Sequence, residues 1–118
     1  MATDPHTLAT TYLRAWKEGD FAALRSLLAD DVTFRGTLGT ANGAQECLEG
    51  MRGLGKIITD IAVAQMVAAG PDVMTWYDLH TTVAPPCPTV NWSHVENGKI
   101  TAIRAVFDPR ELIQGMSR

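Results

Sequence analysis

Val90–Leu112 reads VNWSHVENGKITAIRAVFDPREL, and its punctuation sets the architecture. Two strand-like runs, Thr89 to Glu96 and Lys99 to Phe107, flank Asn97-Gly98. Asn and Gly both accept the positive φ of a tight two-residue hairpin, so the runs are expected to be antiparallel neighbours. Asp108-Pro109 then opens a short helix, because Asp accepts backbone N–H bonds and proline costs nothing at the first helical position.

Working back toward the N-terminus, Pro85-Pro86-Cys87-Pro88 and Gly70-Pro71-Asp72 bound two more β-rich segments, Val73 to Val83 and Ile57 to Ala68. Before them the pattern changes to a helical period. Asp4-Pro5 starts a helix in which Leu8, Tyr12 and Trp16 recur every four residues, with Ala9, Leu13 and Ala15 widening the stripe, until Gly19 stops it. Asp20 caps a second helix through Leu28, with Phe21, Leu24, Leu27 and Leu28 inside. Val32 and Phe34 alternate briefly before RGTLGTANG, whose glycines predict a loop, and a third short helix runs from about Ala44 to Leu54. Helices first and consecutive strands later predict an α+β fold with a mostly antiparallel sheet.

The 118 residues, 46% apolar and 19% charged, suit one globular domain spanning 1–118. A net charge of -3 offers no basic footprint, so neither nucleic acid nor an anionic membrane surface is an expected partner. A neutral or weakly polar small molecule is. Cys47 and Cys87 lie forty residues apart without a Cys/His spacing, which predicts no metal site and two free thiols in a reducing cytoplasm. Cys87 sits between prolines with no neighbouring cation to activate it as a nucleophile. No apolar run reaches bilayer length, and MATDPHTLATTYLRAW lacks the basic-then-apolar pattern of a secretion signal.

Three stretches, YLRAWKEGDFAALRSLLADDVTF, NGAQECLEGM and VENGKITAIRAVFDPREL, bracket nearly the whole chain. In order and spacing they resemble the nuclear-transport-factor-2-like superfamily, in its SnoaL-like and ketosteroid-isomerase-like branch. The resemblance implies a cone-shaped, curved mixed sheet with the N-terminal helices packed over its concave face. It also implies an apolar cone for a small molecule, no cofactor, and a homodimer through the outer sheet face. Tyr12 stands where the isomerases place a tyrosine that hydrogen-bonds a developing oxyanion. Asn91 matches the second oxyanion donor, an acid in the isomerases, and an amide keeps a donor at any pH. Counting from Ala29-Asp30-Asp31, the isomerases' catalytic aspartate falls on Gly36, which cannot move a proton.

The register implied by the resemblance turns Met74, Trp76, Asp78 and His80 inward and Val73, Thr75, Tyr77, Leu79 and Thr81 outward. Asp78 and His80, about 6.5 to 7 Å apart along the strand, would then form a base pair for general acid/base chemistry, with Tyr12 and Asn91 polarising an oxygen. The alternative is an outward, solvated or dimer-facing pair. The pocket wall is expected to include Trp16, Phe34, Met74, Trp76, Ser93, Ile103, Ala105 and Phe107, while Trp92, His94, Glu96 and Arg104 face out. His6 and Asp108 are expected to serve solvation and capping. Three functions stay open: a cofactor-independent isomerase, cyclase or epoxide-hydrolase-like hydrolase; a non-catalytic binding module for an apolar metabolite; and a dimeric interaction domain without ligand.

Overall fold

The computed structural model describes residues 4–117. The chain begins with helices α1 (Pro5–Glu18) and α2 (Phe21–Leu27), strands β1 (Leu28–Gly36) and β2 (Gly39–Asn42), and helix α3 (Ala44–Gly55). It continues with strands β3 (Ile58–Ala69), β4 (Asp72–Thr81), β5 (Cys87–Glu96) and β6 (Lys99–Phe107), and ends with helix α4 (Arg110–Met116). The helix ends follow from their caps. Asp4 accepts from the Thr7 N–H and Asp20 from the Ala23 N–H, and Gly19 at φ 73° closes α1 in the left-handed region. Asp108, expected to be the cap of the last helix, lies one residue before the N-cap Pro109: it accepts from the Arg110 N–H and pairs with the Arg110 guanidinium, which holds its carboxyl down at about 2.

All six strands form one curved sheet in the order β2-β1-β6-β5-β4-β3, antiparallel except for the parallel β1–β6 pair. The stretch expected to be a loop after Phe34 is instead a hairpin, with Gly36 opposite Gly39 and Thr37-Leu38 at its tip. Its return strand is four residues long, too short for an alternation to register in sequence. Asn97 (φ 53°) and Gly98 (φ 74°) make the tight turn between β5 and β6. A bulge follows it: Val95 pairs with Ile100 but His94 pairs with Ala102, leaving Thr101 as the extra residue. The bulge flips the face parity of β6, so Ile100 and Ile103 both point inward and are fully buried.

The core lies between the concave sheet face and α1–α3, with Leu24, Leu28, Val32 and Ile100 inaccessible to solvent or nearly so. Trp16 donates from Nε1 to the Met51 carbonyl at 2.9 Å and thereby ties α1 to α3. At the far end Gly115 presses α4 onto the Val83 backbone, where an added Cβ would lie 2.0 Å from the Val83 carbonyl oxygen. Only glycine permits that approach.

One expected face assignment is reversed. On β4, Val73, Thr75, Tyr77 and Leu79 are buried, whereas Met74 and Trp76 are 50% and 55% exposed and Asp78 and His80 lie half-buried on the same outer face. Register enforces this. Thr75 pairs with Asn91 and Tyr77 with Thr89, so an inward Asn91 carries Thr75 and Tyr77 inward with it. The physical preference agrees, because placing Asp78 and His80 in the apolar cone would strip water from two ionisable groups.

Candidate functional site

The concave face and the helices enclose a mostly apolar cavity of about 360 Å³. Trp16, Phe34, Met51, Leu54 and Phe107 supply much of its wall, and exposed Leu38 and Met116 stand at its mouth. Polar groups converge at the buried end. Tyr12 from α1, 1% exposed, meets Asn91 from β5, 2% exposed. The Asn91 Nδ2 donates to the Tyr12 hydroxyl oxygen at 3.4 Å, and the Ser93 hydroxyl donates to Asn91 Oδ1 at 3.3 Å. Ser93 therefore occupies the amide's acceptor and turns its N–H groups toward the phenol. With its oxygen accepting, Tyr12 keeps its own proton free for an acceptor in the cavity.

A second phenol faces the same space. Tyr77 lines the cavity from β4 and is 2% exposed. Burial pushes the Tyr12 hydroxyl well above the usual tyrosine range, reinforced by Tyr77 and partly offset by the Asn91 bond. Burial likewise raises Tyr77, with Asn91 again opposing. The Cys47 thiol is pushed up to about 11 for the same reason. These groups are neutral donors at physiological pH, not nucleophiles. Tyr12 also stacks on Trp16, with ring centroids 6.4 Å apart and planes 9° from parallel, so its hydroxyl is aimed by two contacts rather than one.

Of the residues expected at the site, Tyr12, Asn91, Trp16, Phe34, Ala105 and Phe107 do line the cavity. Ser93 and Ile103 are buried on the same face and act behind the wall. Met74, Trp76, Asp78 and His80 do not contribute, since all four are on the opposite side of β4. His80 lies across from Asp60, which pairs with Lys17 at 2.7 Å. Gly36 does line the cavity, and the Phe34 ring fills the space beside it: a Cβ at Gly36 would fall 2.6 Å from Phe34 Cε1. Tyr77, Cys47, Thr89 and Glu46 are among the lining residues not expected from the sequence, as are Met51, Leu54 and Leu79. Tyr77 joins the wall through the register of β4 on β5, which pairs Thr75 with Asn91 and Tyr77 with Thr89 and which alternation along one strand does not reveal. Among the described residues no group of three or more His, Cys, Asp or Glu side chains could hold a metal ion.

The outer face carries its own cluster. Asp72 accepts from Trp92 Nε1 at 3.0 Å and sits 2.7 Å from His94 Nδ1, while the Arg104 guanidinium lies over the Trp92 ring. The His94 bond to Asp72 lowers the carboxyl and raises the imidazole.

The model of the SnoaL-like domain family matches residues 9–103. The chain belongs to the SnoaL-like family. Its fold is nuclear-transport-factor-2-like, and solved structures reproduce it over almost the whole chain. A Kribbella flavida protein superposes with a TM-score of 0.91 at 25% identity, covering 98% of this chain and 96% of its own. A nuclear-transport-factor-2-like protein of unknown function from Cytophaga hutchinsonii reaches 0.83 at 25% identity, with 96% of each chain covered. An LEH-like epoxide hydrolase from M. tuberculosis has a TM-score of 0.79 at 19% identity, over 98% of this chain and 94% of that one, a likeness of fold alone. No curated protein matches the sequence significantly. Among the described residues, no helix of this SnoaL-like domain is long and apolar enough to cross a membrane.

Proposed function

We propose that this SnoaL-like domain binds a small, largely apolar molecule carrying a neutral oxygen, held in the cone without turnover. The observation that carries this reading is the Tyr12–Asn91 pair, a preset proton donor at the buried end of an apolar cavity, with no Asp or His beside it among the described lining residues. In such a low-dielectric setting one donor fixes the orientation of a ligand oxygen, and the apolar walls supply the affinity. Tyr12→Phe removes that donor and leaves the ring stack on Trp16. Calorimetry with acetylnaphthalene as probe is expected to give about tenfold weaker binding to the variant, the size of one buried hydrogen bond. Equal affinities would reject the reading.

A second reading, a cofactor-independent isomerase, cyclase or hydrolase, draws on the same donor, because a Tyr–Asn pair that orients an oxygen also stabilises negative charge developing on it. That chemistry needs a proton acceptor, and the one carboxylate among the described lining residues is Glu46.

The outer sheet face supports a second copy of this chain as partner. Met74, Trp76, Val90 and Val106 are 50%, 55%, 44% and 68% exposed, and the pairings Trp76–Val90 and Val90–Val106 make them one contiguous apolar patch. Sedimentation of the wild type is expected to give a dimer and of Trp76→Glu a monomer with unchanged circular dichroism. A monomeric wild type at micromolar concentration counts against the dimer.

A further inference from the structure

The charge inventory of the cavity is one-sided. Tyr12, Tyr77 and Cys47 are uncharged donors, and the described lining residues include no Lys, Arg or His. Glu46 alone brings a formal charge. It lies in the first turn of α3 and is exposed, toward the solvent side of the cavity. Its Oε1 accepts from the Asn42 N–H at 2.9 Å, which fixes the carboxylate in place, and among the described residues Oε2 has no hydrogen-bond donor.

Among the described residues no salt bridge reaches Glu46, and Arg35, which bonds the same Asn42, directs its guanidinium N–H groups to neutral oxygens. Arg35 donates from Nη1 to the carbonyls of Phe34 and Ala41 and from Nη2 to Asn42 Oδ1. Among the described residues, the ion pairs of Lys17, Arg25, His94 and Arg110 all go to other acids. The N-terminus of α3 would by itself attract an anion, but Glu46 already supplies that charge from within the same turn. An anionic ligand would meet a fixed negative charge at the cavity edge. A cationic one would find an unpaired carboxylate.

We infer that the ligand class is a cationic amphiphile: an apolar ring system that places a neutral oxygen against Tyr12 and a protonated amine against Glu46. This rests on the binding reading above and adds to it the sign of the ligand's charge.

Three probes of similar shape separate the two ideas: naphthylethylamine, acetylnaphthalene and naphthylacetate, titrated calorimetrically into the wild type and Glu46→Gln. Gln keeps an acceptor for the Asn42 N–H, so the helix start is preserved. The wild type is expected to prefer the amine over the acetate. In E46Q the amine should bind about fivefold more weakly, the acetate more tightly, and acetylnaphthalene the same. Amine affinity for the wild type should also fall as salt rises, a readout that needs no variant. Amine affinity indifferent to both E46Q and salt, with acetylnaphthalene still bound and sensitive to Tyr12→Phe, overturns the charge preference alone. Failure of all three probes to bind the wild type overturns the binding reading and this inference together.

Discussion

Asn91→Asp is expected to produce a protein whose stability falls with rising pH more steeply than the wild type's. Asn91 is 2% exposed, and its amide sits between Ser93, Tyr12 and Tyr77 in the surroundings that push both phenols upward. A carboxyl group there resists ionisation for the same reason, desolvation. At pH 4 and below the neutral acid can donate to the Tyr12 oxygen as the amide does, so the variant should lie close to the wild type. Above that range the unfolded chain releases its proton near pH 3.9 while the folded chain holds it, so the unfolded state binds fewer protons and stability falls as pH rises. A folded-state pKa near 7 corresponds to a loss of about 3 kcal/mol between pH 4 and pH 7. Urea denaturation of both proteins at intervals from pH 4 to 8 measures it. A difference that stays constant with pH would mean that position 91 is wetter than its burial implies.

Trp16→Ala is the second large effect, and it acts on the scaffold. The indole is 7% exposed, forms part of the cavity wall, stacks with Tyr12 and donates to the Met51 carbonyl, so its removal empties space and releases α1 from α3. Truncating a buried tryptophan costs about 3 to 5 kcal/mol. For a domain of this size that corresponds to a melting temperature lower by roughly 12 to 20 °C or more. Trp16→Phe refills most of the volume and removes the indole bond to the Met51 carbonyl, so it should cost about 0.5 to 1.5 kcal/mol. Differential scanning calorimetry on the three proteins tests the order. If the alanine and phenylalanine variants melt together, the hydrogen bond to Met51 rather than packing dominates at this site.

Much of the fold was legible because its decisive signals are local. Asp4, Gly19 and Asp20 bound helices by chemistry that acts within a few residues, and Asn97-Gly98 adopts the positive φ values a tight hairpin demands. The β1–β2 hairpin was not, because a four-residue strand has too few side chains to display a period. Half of the candidate site was legible for a related reason: Tyr12 and Trp16 lie on a helical stripe whose apolar face is unambiguous.

The strand residues divide differently. Alternation along β4 separates Val73, Thr75, Tyr77 and Leu79 from Met74, Trp76, Asp78 and His80 from sequence alone, but alternation is symmetric and does not say which set faces the helices. That choice is made by pairing across strands. Thr75 opposite Asn91 and Tyr77 opposite Thr89 bind the face of β4 to that of β5, and the Thr101 bulge resets the parity of β6. The sequence by itself determined every element except β2, their order and the apolar character of the cone, since these follow from spacing and capping. Tertiary structure alone decided that Tyr77 joins Tyr12 and Asn91 while Asp78 and His80 stay outside, because one residue of register moves every side chain of a strand to the other face.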